Sequence, residues 1–491
     1  MLFILFFTNV VAAQSVDTAA VDRVMTDALR AWRIPGASVA IVQNDRVVYA
    51  KGYGVKEVGG TAPVTADTLF HIGSDSKAFT TAAMAMLVDE KKLAWDDPVR
   101  KHLEYFHLSD PCADSLVTLR DIVSHRTGLS RHDELWDNTP LTREQLIRAV
   151  ASLELTKPIR TTYQYQNIMF IAAGEAVASA AKMPWNDFVR TRIFEPLGMT
   201  RTRITIADWL ASDHAAGHRL EKPGDRVVPQ TLVDDDNLAP AGAIKSSARD
   251  MAQWVRFQLG DGTFDGKRLV SAAALGETHM PQTVIRLEES TRESNPETLL
   301  EAYGMGWVVQ DYRGELLVSH GGALNGFRAH VDLLPNRKSG FVVLINVGRS
   351  SATAAIRNSL LDLLLQKANA RDWNGYYLAL EKKSDDKDEA KKREREAKRR
   401  TDTHPSRELA AYAGTYTNPA YGVATITADA AGLVLHWMRL TVPLTHYQYD
   451  TFDAHSDVDD LDEQVTFRLG ADGEVNTLTL FGEEWERVVS R

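Results

Sequence analysis

Ser74 and Lys77 are two residues whose types and spacing could do chemistry together. They lie three positions apart at the start of an apolar run, so a helix would place both side chains on one face. A serine hydroxyl is a weak nucleophile until a base removes its proton, and a buried lysine that has lost its own proton can act as that base. Because any helix can contain S-x-x-K by chance, the pair gains weight only from further motifs.

Two downstream segments could serve the same reaction. Tyr165 and Asn167 form a Y-x-N pattern, in which a phenol whose pKa is lowered by nearby cations can relay a proton and an amide can hydrogen-bond a lysine or a substrate carbonyl. Residues 320–323 read His-Gly-Gly-Ala after a predicted strand, where glycines let a substrate backbone approach. A backbone N–H there could pair with the Ser74 N–H in an oxyanion hole. Without a ligand, the same segments would be a core tyrosine with an asparagine turn and a glycine-rich strand end.

The composition is typical of a soluble protein with more than one domain. The chain has 491 residues, 44% of them hydrophobic and 25% charged, which is enough for two or three domains. Its net charge of −10 argues against nucleic acid as a partner. The single cysteine, Cys112, permits no internal disulfide, and the histidines lack metal-ligand spacing, so we expect no metal or organic cofactor.

The first 13 residues form a short apolar run that ends in small residues. This ending suits a signal-peptide cleavage site, although no lysine or arginine precedes the run. Because the run is too short to cross a bilayer as a helix, we predict a signal peptide, with a retained N-terminal anchor as the alternative. No other stretch is apolar enough for a transmembrane helix, so the protein is expected in the periplasm or outside the cell. These patterns leave its oligomeric state open.

The order of predicted elements favours an α+β fold, an α/β sandwich in which an antiparallel sheet is flanked by helices and accompanied by a mostly helical subdomain. A turn at residues 44–45 predicts a hairpin between the first two strands. The predicted strands are residues 37–42, 46–51, 316–319, 328–334 and 341–347, and a helix over residues 354–367 would close the domain.

Two further segments follow this domain. The charges near residues 381–400 include acid-first i,i+4 pairs, which predict a solvated helical linker rather than a basic arm for anionic surfaces. Beyond the linker, short strands and an Asp472–Gly473 turn predict a small all-β barrel or sandwich. Acidic residues 457–463 lack the glycine and glutamate spacing of a calcium loop and are predicted to be a solvated loop. The predicted divisions of the chain are residues 1–13, 14–370, 371–405 and 406–491.

Together these motifs resemble the serine β-lactamase and penicillin-binding-protein superfamily, and within it the class C-like esterase and D-peptidase branch. The resemblance covers about residues 16–367 and rests on S-x-x-K at Ser74, Y-x-N at Tyr165 and H-G-G at His320. The sequences Y-G-M-G-W at 303–307 and G-F-R at 326–328 also match. Residues 412–422 resemble part of the lipocalin-like domain that is often appended in this branch.

The resemblance implies a role for each matching residue. Ser74 would be the acylated nucleophile, and Lys77 and Tyr165 would share its proton and return it to the leaving group. Asn167 would orient Lys77 and the substrate, while the backbone N–H groups of Ser74 and Ala323 would form the oxyanion hole. The substrate-binding set would be Asn167, His320, Gly321, Gly322, Ala323 and Arg328.

His320 stands where penicillin-recognising members of the superfamily usually carry the lysine of K-T-G. A neutral histidine attracts a substrate carboxylate less than a lysine does, and it would be cationic only below its ordinary pKa of about 6.5. The sequence at 338–340, Lys-Ser-Gly, also fits the pattern but lies in a predicted hairpin turn. Arg328 is a candidate for the missing positive charge.

The expected activity is that of a serine hydrolase acting through an acyl-enzyme on small esters, D-amino-acid peptides or β-lactams, with a small molecule or short peptide as its substrate. With His320 in the lysine position, an esterase or D-peptidase is favoured over an efficient β-lactamase. One alternative is a non-catalytic or slowly deacylating penicillin-binding protein that senses peptidoglycan, and another is a structural, domain-linking role. The residues of S-x-x-K and Y-x-N favour the hydrolase, because a pure binding protein does not need all four.

Overall fold

The computed structural model describes residues 16–137, 139–221, 226–367, 370–456 and 461–488. The predicted signal peptide, residues 1–13, and part of the acidic stretch, residues 457–460, lie outside the described residues. The described chain forms an α/β domain, one long helix and a β-barrel.

The described residues contain thirteen α-helices, twelve of them in the α/β domain. Their bounds are α1 Thr18–Trp32, α2 Ser76–Asp89, α3 Pro111–Leu116, α4 Leu119–Val123, α5 Arg143–Ala149, α6 Asn167–Ala181, α7 Trp185–Val189, α8 Ile206–Leu210, α9 Ala248–Leu259, α10 Ala272–Thr278, α11 Glu289–Ser294, α12 Ser350–Leu364 and α13 Trp373–Lys398.

The strands form one large sheet, three short two-stranded ladders and a barrel. Their bounds are β1 Gly36–Gln43, β2 Arg46–Gly54, β3 Phe70–His71, β4 His218–Glu221, β5 Arg226–Pro229, β6 Lys245–Ser246, β7 Thr263–Phe264, β8 Lys267–Arg268, β9 Thr283–Val284, β10 Glu301–Tyr303, β11 Val308–Tyr312, β12 Glu315–Leu324, β13 Phe327–Leu334, β14 Ser339–Ile345, β15 Gly414–Asn418, β16 Gly422–Asp429, β17 Gly432–Trp437, β18 Leu440–Gln448, β19 Thr451–Ser456, β20 Leu461–Leu469, β21 Val475–Leu480 and β22 Glu483–Arg487.

The large sheet is antiparallel and has helices on both faces. Its eight strands run in the order β2-β1-β14-β13-β12-β11-β10-β9. β14 is buried along its whole length, which explains its continuous apolar sequence. Val342 and Leu344 belong to the hydrophobic cluster that contains α9, whereas Val343 and Ile345 belong to the cluster that contains α1 and α12. The predicted α+β architecture, a sheet flanked by helices, is therefore confirmed.

The helical subdomain is built on two helices that are apolar nearly all round. Residues 76–87 of α2 are all buried, as are ten residues of α6 between Asn167 and Val177. A helix without a polar face must be surrounded by protein, and α2 packs against α6 and α10. The interior position of both helices brings their N-terminal ends, near Ser74 and at Asn167, to one place in the fold.

The C-terminal strands β15–β22 form a closed antiparallel barrel. Pairing of Tyr416 on β15 with Arg487 on β22 closes the ring, which decides between the predicted barrel and the predicted sandwich. Alternate residues of β17 point inward, as the period of a strand requires, and Trp437 lies with Trp485 in the aromatic interior.

Helix α13 has a packed start and an exposed remainder. The indole N–H of Trp373 donates to Asp362 at 2.8 Å, and the Tyr377 hydroxyl donates to the Ser294 carbonyl at 2.6 Å. From Glu381 onward most side chains are exposed, as the charge pattern predicts. Among the described helices, none combines the length and apolar composition needed to cross a membrane.

Candidate active site

Ser74 lies in the single 3₁₀ turn Gly73–Asp75, which leads directly into α2. Gly73 has a φ of 52°, in the left-handed region that favours glycine. A Cβ on Gly73 would clash with the backbone nitrogen of Ala323, and one on Gly322 would clash with the carbonyl of Ile72. The two glycines therefore allow the nucleophile turn to touch the backbone of β12, with the Ala323 nitrogen beside it.

Lys77 is fully buried, and its Nζ has three oxygen neighbours. The Nζ lies 2.7 Å from Asn167 Oδ1, 2.7 Å from the Ala241 carbonyl oxygen and 3.0 Å from Ser74 Oγ. Burial holds the pKa of Lys77 well below its ordinary value. Since the amide and carbonyl oxygens only accept hydrogen bonds, a neutral Lys77 directs its two N–H bonds to them and its lone pair toward Ser74.

Tyr165 lies next to both Ser74 and Lys77. Its hydroxyl is hydrogen-bonded to Ser74, and the centroid of its ring is 4.8 Å from Lys77 Nζ. Burial raises the pKa of Tyr165 above its ordinary value, despite the opposing effects of the Ser74 hydrogen bond and of Arg131. The condition for a phenol relay, a pKa lowered by nearby cations, is therefore not met at Tyr165. Tyr165 keeps its proton and can donate it, whereas Lys77 loses its proton more readily and can serve as the base.

His320 lies inside β12 rather than after the predicted strand, and only 5% of it is exposed. Its Nε2 is hydrogen-bonded to the Tyr303 hydroxyl at 3.0 Å and its Nδ1 to the Gly321 carbonyl at 2.8 Å. Burial lowers the pKa of His320 to about 3, so the prediction that it would become cationic below about pH 6.5 is wrong. Burial also raises the pKa of Asp75, 3.9 Å away, so this pair carries little charge.

The glycine-containing part of β12 has an open edge toward Ser74. β12 pairs with β13 as far as Leu324, but with β11 only as far as Ser319. Gly321 and Gly322 therefore belong to a strand with one edge facing the nucleophile turn, which suits the approach of an extended substrate backbone. Lys338 instead lies in the turn between β13 and β14, outside the residues that line the site.

A cavity of about 540 Å³ is lined by Ser74, Tyr165 and Asn167 and also by three arginines. Among the described residues, no aspartate or glutamate lines it. Arg131 is paired with Asp133 at 2.5 Å and Arg357 with Asp332 at 2.8 Å. The polar side chains on the cavity wall include those of Ser74, Tyr165, Asn167, Arg131, Arg328 and Arg357.

Arg328 differs from the other two arginines of the cavity wall. Within the described chain it has no carboxylate partner, and its Nη1 donates to the carbonyl of Phe327 at 3.4 Å. Its Nε is buried without a hydrogen-bond partner, and burial lowers the pKa of its guanidinium group. Arg328 lies opposite Ala323 in the β12–β13 register. The structure thus places an uncompensated positive charge next to the strand position that faces Ser74.

Sequence reasoning missed two contributors to the site. The Ala241 carbonyl accepts from Lys77, and Asp133 accepts from Asn167 Nδ2 at 3.3 Å. The loop containing Ala241 has only the turn signal of its proline and glycine, and a backbone acceptor has no residue signature of its own. In the described ranges, no group of three or more histidine, cysteine, aspartate or glutamate residues is arranged to hold a metal ion.

A family model described as Beta-lactamase matches residues 21–366, well over half of the chain. The chain belongs to the beta-lactamase family. A second model, described as a domain of unknown function (DUF3471), matches residues 398–488 of this beta-lactamase-family protein and covers the barrel.

Curated relatives include two fungal hydrolases and a bacterial protein. An unguisins hydrolase of Aspergillus campestris is 33% identical over 430 residues, covering 83% of this chain and 77% of the relative. The corresponding hydrolase of Aspergillus violaceofuscus is 30% identical and covers 88% and 79%. Protein flp of Staphylococcus aureus is 26% identical and covers 67% and 62%. The family and these relatives support hydrolase activity in general.

Solved structures share the fold across both parts of the chain. An octameric penicillin-binding protein homologue from Pyrococcus abyssi superposes with a TM-score of 0.63 at 21% identity, covering 96% of this chain and 99% of the homologue. A structure of SurE gives a TM-score of 0.58 at 21% identity and covers 96% and 100%. At this identity the similarity shows the fold alone.

Proposed function

We propose that this beta-lactamase-family protein cleaves ester or amide bonds through an acyl-enzyme formed on Ser74. The observation that carries the proposal is the position of a buried lysine, with a depressed pKa, 3.0 Å from the Ser74 hydroxyl. A neutral amine at that distance is a general base within reach of the proton that it must remove. The hydroxyl also lines the cavity, so a substrate can reach it.

In the proposed acylation, each step is assigned to a group of the site. As Ser74 Oγ attacks the substrate carbonyl carbon, its proton passes to Lys77 Nζ, and the carbonyl oxygen becomes an oxyanion. The backbone N–H groups of Ser74 and Ala323 would donate to that oxyanion. When the tetrahedral intermediate collapses, the Tyr165 hydroxyl protonates the departing oxygen or nitrogen. Tyr165 then recovers a proton from Lys77.

Deacylation reverses these proton movements. A water molecule attacks the acyl carbonyl and gives its proton to the Lys77–Tyr165 pair. The ester bond to Ser74 then breaks, and Ser74 Oγ recovers a proton from that pair, which releases the acid and regenerates the enzyme. Because acylation and deacylation use the same groups, a trapped acyl-enzyme would mean that a water molecule is poorly placed rather than that a catalytic residue is missing.

Uncharged His320 favours an esterase or D-peptidase over an efficient β-lactamase. At neutral pH the low pKa of His320 leaves the strand position without the charge that a lysine would bring. Arg328, which lies opposite Ala323 in the β12–β13 register and lines the cavity, is the charge available for a substrate carboxylate. The relatives named as unguisins hydrolases support a hydrolase rather than a binding protein.

The test is the intact mass of the protein after incubation with a fluorophosphonate and, separately, with a penicillin. Wild-type protein is expected to gain one fluorophosphonate adduct, whereas Ser74→Ala gains none. A penicillin adduct that persists would favour the slowly deacylating penicillin-binding protein, and one that disappears with hydrolysed penicillin would favour a lactam hydrolase. Absence of any adduct on the wild-type protein would contradict the proposal.

A further inference from the structure

We propose that Tyr421, a barrel residue, is a positioning residue for the catalytic lysine of the α/β domain. The inference rests on the proposed role of Lys77. Tyr421 and His132 are 289 positions apart in the chain, yet a 2.9 Å hydrogen bond joins the Tyr421 hydroxyl to His132 Nδ1. Through His132 and its neighbour Asp133, this bond reaches the amide of Asn167 and then Lys77.

The barrel holds Tyr421 firmly. Its backbone N–H donates to Asn418 Oδ1 at 3.0 Å, and its carbonyl accepts from the indole N–H of Trp437 at 3.0 Å. Its ring stacks on Phe481 with 5.9 Å between centroids and lies 6.0 Å from the Trp485 ring. A ring fixed in this way presents its hydroxyl at a defined point, so the contact can hold a loop in place.

On the other side of the contact, His132 belongs to a tightly bent loop. His132 has a φ of 48°, an uncommon conformation for a residue other than glycine. Its Nε2 is hydrogen-bonded to Ser130 Oγ at 3.0 Å, so both ring nitrogens are engaged. The His132 ring therefore connects the loop to Ser130 through one nitrogen and to the barrel through the other.

The next residue, Asp133, connects this loop to the catalytic residues. Asp133 Oδ1 accepts from Asn167 Nδ2 at 3.3 Å and from the indole N–H of Trp136 at 2.9 Å. Asn167 Oδ1 accepts from Lys77 at 2.7 Å.

The orientation of the Asn167 amide depends on this arrangement. With Nδ2 directed at a carboxylate, Oδ1 must face Lys77, because the two ends of an amide have opposite hydrogen-bonding roles. If Asp133 moved away, the amide could rotate and present N–H to the amine. Lys77 would then lose one of its two fixed acceptors, and its lone pair would no longer be directed at Ser74.

The same loop also positions Tyr165. The Arg131 guanidinium carbon lies 5.0 Å from the centroid of the Tyr165 ring, and Gln166 Nε2 donates to the carbonyls of Ser130 and Arg131 at 2.6 and 2.8 Å. Fixing the His132 loop therefore fixes the surroundings of the base and of the proton donor together.

Tyr421→Phe tests the proposal, because it removes the hydroxyl and leaves the packed ring. Tyr416→Phe is the matched control: Tyr416 is also a buried barrel tyrosine, but its hydroxyl donates to the carbonyl of Tyr412 within the barrel at 2.8 Å. The rate of fluorophosphonate acylation of Ser74 is expected to fall about fivefold or more in Tyr421→Phe, the size of a typical coupling between sites. Tyr416→Phe should keep the wild-type acylation rate, although its melting temperature should be similar to that of Tyr421→Phe.

A double-mutant cycle distinguishes positioning from a general loss of stability. Asp133→Ala should also slow acylation, and adding Tyr421→Phe to it should cost little more, because the connection is already broken. Equal rates for Tyr421→Phe and Tyr416→Phe, or fully additive losses in the cycle, would overturn the proposal.

Hydrogen exchange provides a readout that does not depend on catalysis. Exchange of the amides in residues 130–137 should become faster in Tyr421→Phe and stay unchanged in Tyr416→Phe. If wild-type Ser74 were not labelled at all, the proposed function would fail, and faster exchange in this loop would still support the connection to the barrel. Unchanged exchange in Tyr421→Phe would overturn the connection whatever the labelling result.

Discussion

Lys77 combines a buried amine with two acceptors that fix its orientation, and this combination sets the pH dependence of the reaction. A protonated Lys77 cannot accept the Ser74 proton, so acylation is slow below the pKa of Lys77 and rises as the pH passes through it. Burial places that pKa well below 10.5. At high pH the rate should reach a plateau, which Lys77→Ala should lower by about a hundredfold or more.

We predict that His320 makes no contribution to this pH dependence. With a pKa of about 3, His320 is neutral at all pH values well above 3, so an acidic limb in that range is assigned to Lys77. The rate of fluorophosphonate acylation, measured against pH for wild type and His320→Gln, should therefore show the same acidic limb, whatever the height of the plateau. A limb that shifts or disappears in His320→Gln would mean that the histidine titrates in the site.

Arg328 is predicted to select substrates that carry a carboxylate. Its guanidinium group has no carboxylate partner within the described residues, so a substrate anion would be the first to neutralise it. Arg328→Gln should lower kcat/KM for a hemiester with a free carboxylate by about tenfold to a hundredfold, the range expected for a hydrogen bond to a charged group. For the uncharged ester of the same length it should change little.

Arg337→Gln is the matched control for this prediction. Arg337 is exposed, pairs with Glu315 and lies at the other end of β13, so its loss should leave both esters unaffected. Equal losses for the charged and uncharged esters in Arg328→Gln would show that Arg328 supports the fold of the site rather than its selectivity.

At the scale of elements, the close contact between the nucleophile turn and β12 depends on Gly73. Gly73→Ala should slow acylation of Ser74 by about tenfold or more, because the added Cβ would push the turn away from the Ala323 nitrogen. Gly198→Ala separates this effect from backbone strain. Gly198 has a φ of 68°, but a Cβ added there would meet no atom within 4 Å. The variant should therefore be destabilised only by the cost of a left-handed conformation, about 1–2 kcal/mol.

Acylation rate and melting temperature, measured for both glycine variants, distinguish the two effects. Gly198→Ala should lower the melting temperature and leave the acylation rate unchanged, whereas Gly73→Ala should lower both. If Gly73→Ala kept the wild-type rate, contact between the turn and β12 would not be needed for the reaction.

Sequence patterns predicted the helices and strands whose local residue preferences match the conformation that tertiary contacts impose. The start of α2 was predictable from the apolar run after Ser74, and the barrel was predictable from short alternating strands. The strand predicted at 316–319 was too short, since Gly321 and Gly322 have low strand propensity. In the structure, pairing of Gly322 with Ala329 on β13 overrides that propensity and extends β12 to Leu324.

The parts of the site that sequence reasoning missed depend on contacts between distant segments. The Ala241 carbonyl reaches Lys77 across 164 positions, and the Tyr421 hydroxyl reaches His132 across 289. Neither contact leaves a periodic pattern or a spacing within one segment. Likewise, a histidine in the sequence suggests a group that titrates near neutrality, and only the burial of His320 shows that it does not.

At the scale of the whole molecule, α13 contacts both the α/β domain and the barrel. Near its end, Arg395 pairs with Asp453 at 2.5 Å, and the Arg395 carbonyl accepts from the Tyr447 hydroxyl at 2.9 Å. At its start, Trp373 and Tyr377 are buried against the α/β domain. A helix anchored at both ends limits how far the barrel can move from the His132 loop, which favours the contact made by Tyr421.

We predict that the first turn of α13 stabilises the α/β domain while its exposed middle does not. Trp373→Ala would remove a buried indole and leave Asp362 Oδ2 without the donor at 2.8 Å, at a cost of about 3–5 kcal/mol. Lys391, whose ion pair with Asp388 spans 3.4 Å between two exposed side chains, is the control on the same helix, and Lys391→Ala should cause no measurable change.

Complete loss of fluorophosphonate labelling at Ser74 with increasing urea reports on unfolding of the α/β domain, since that domain carries all of the reacting groups, whereas loss of the Tyr421 contact alone should slow labelling without abolishing it. The midpoint of that loss should fall to markedly lower urea in Trp373→Ala and stay at the wild-type value in Lys391→Ala. Equal midpoints in the two variants would mean that α13 merely connects the barrel to the α/β domain. A lower midpoint for Trp373→Ala alone would show that the first turn of α13 is part of the α/β domain. Because the end of the same helix contacts the barrel, the barrel would then be joined to the α/β domain by a packed helix as well as by Tyr421.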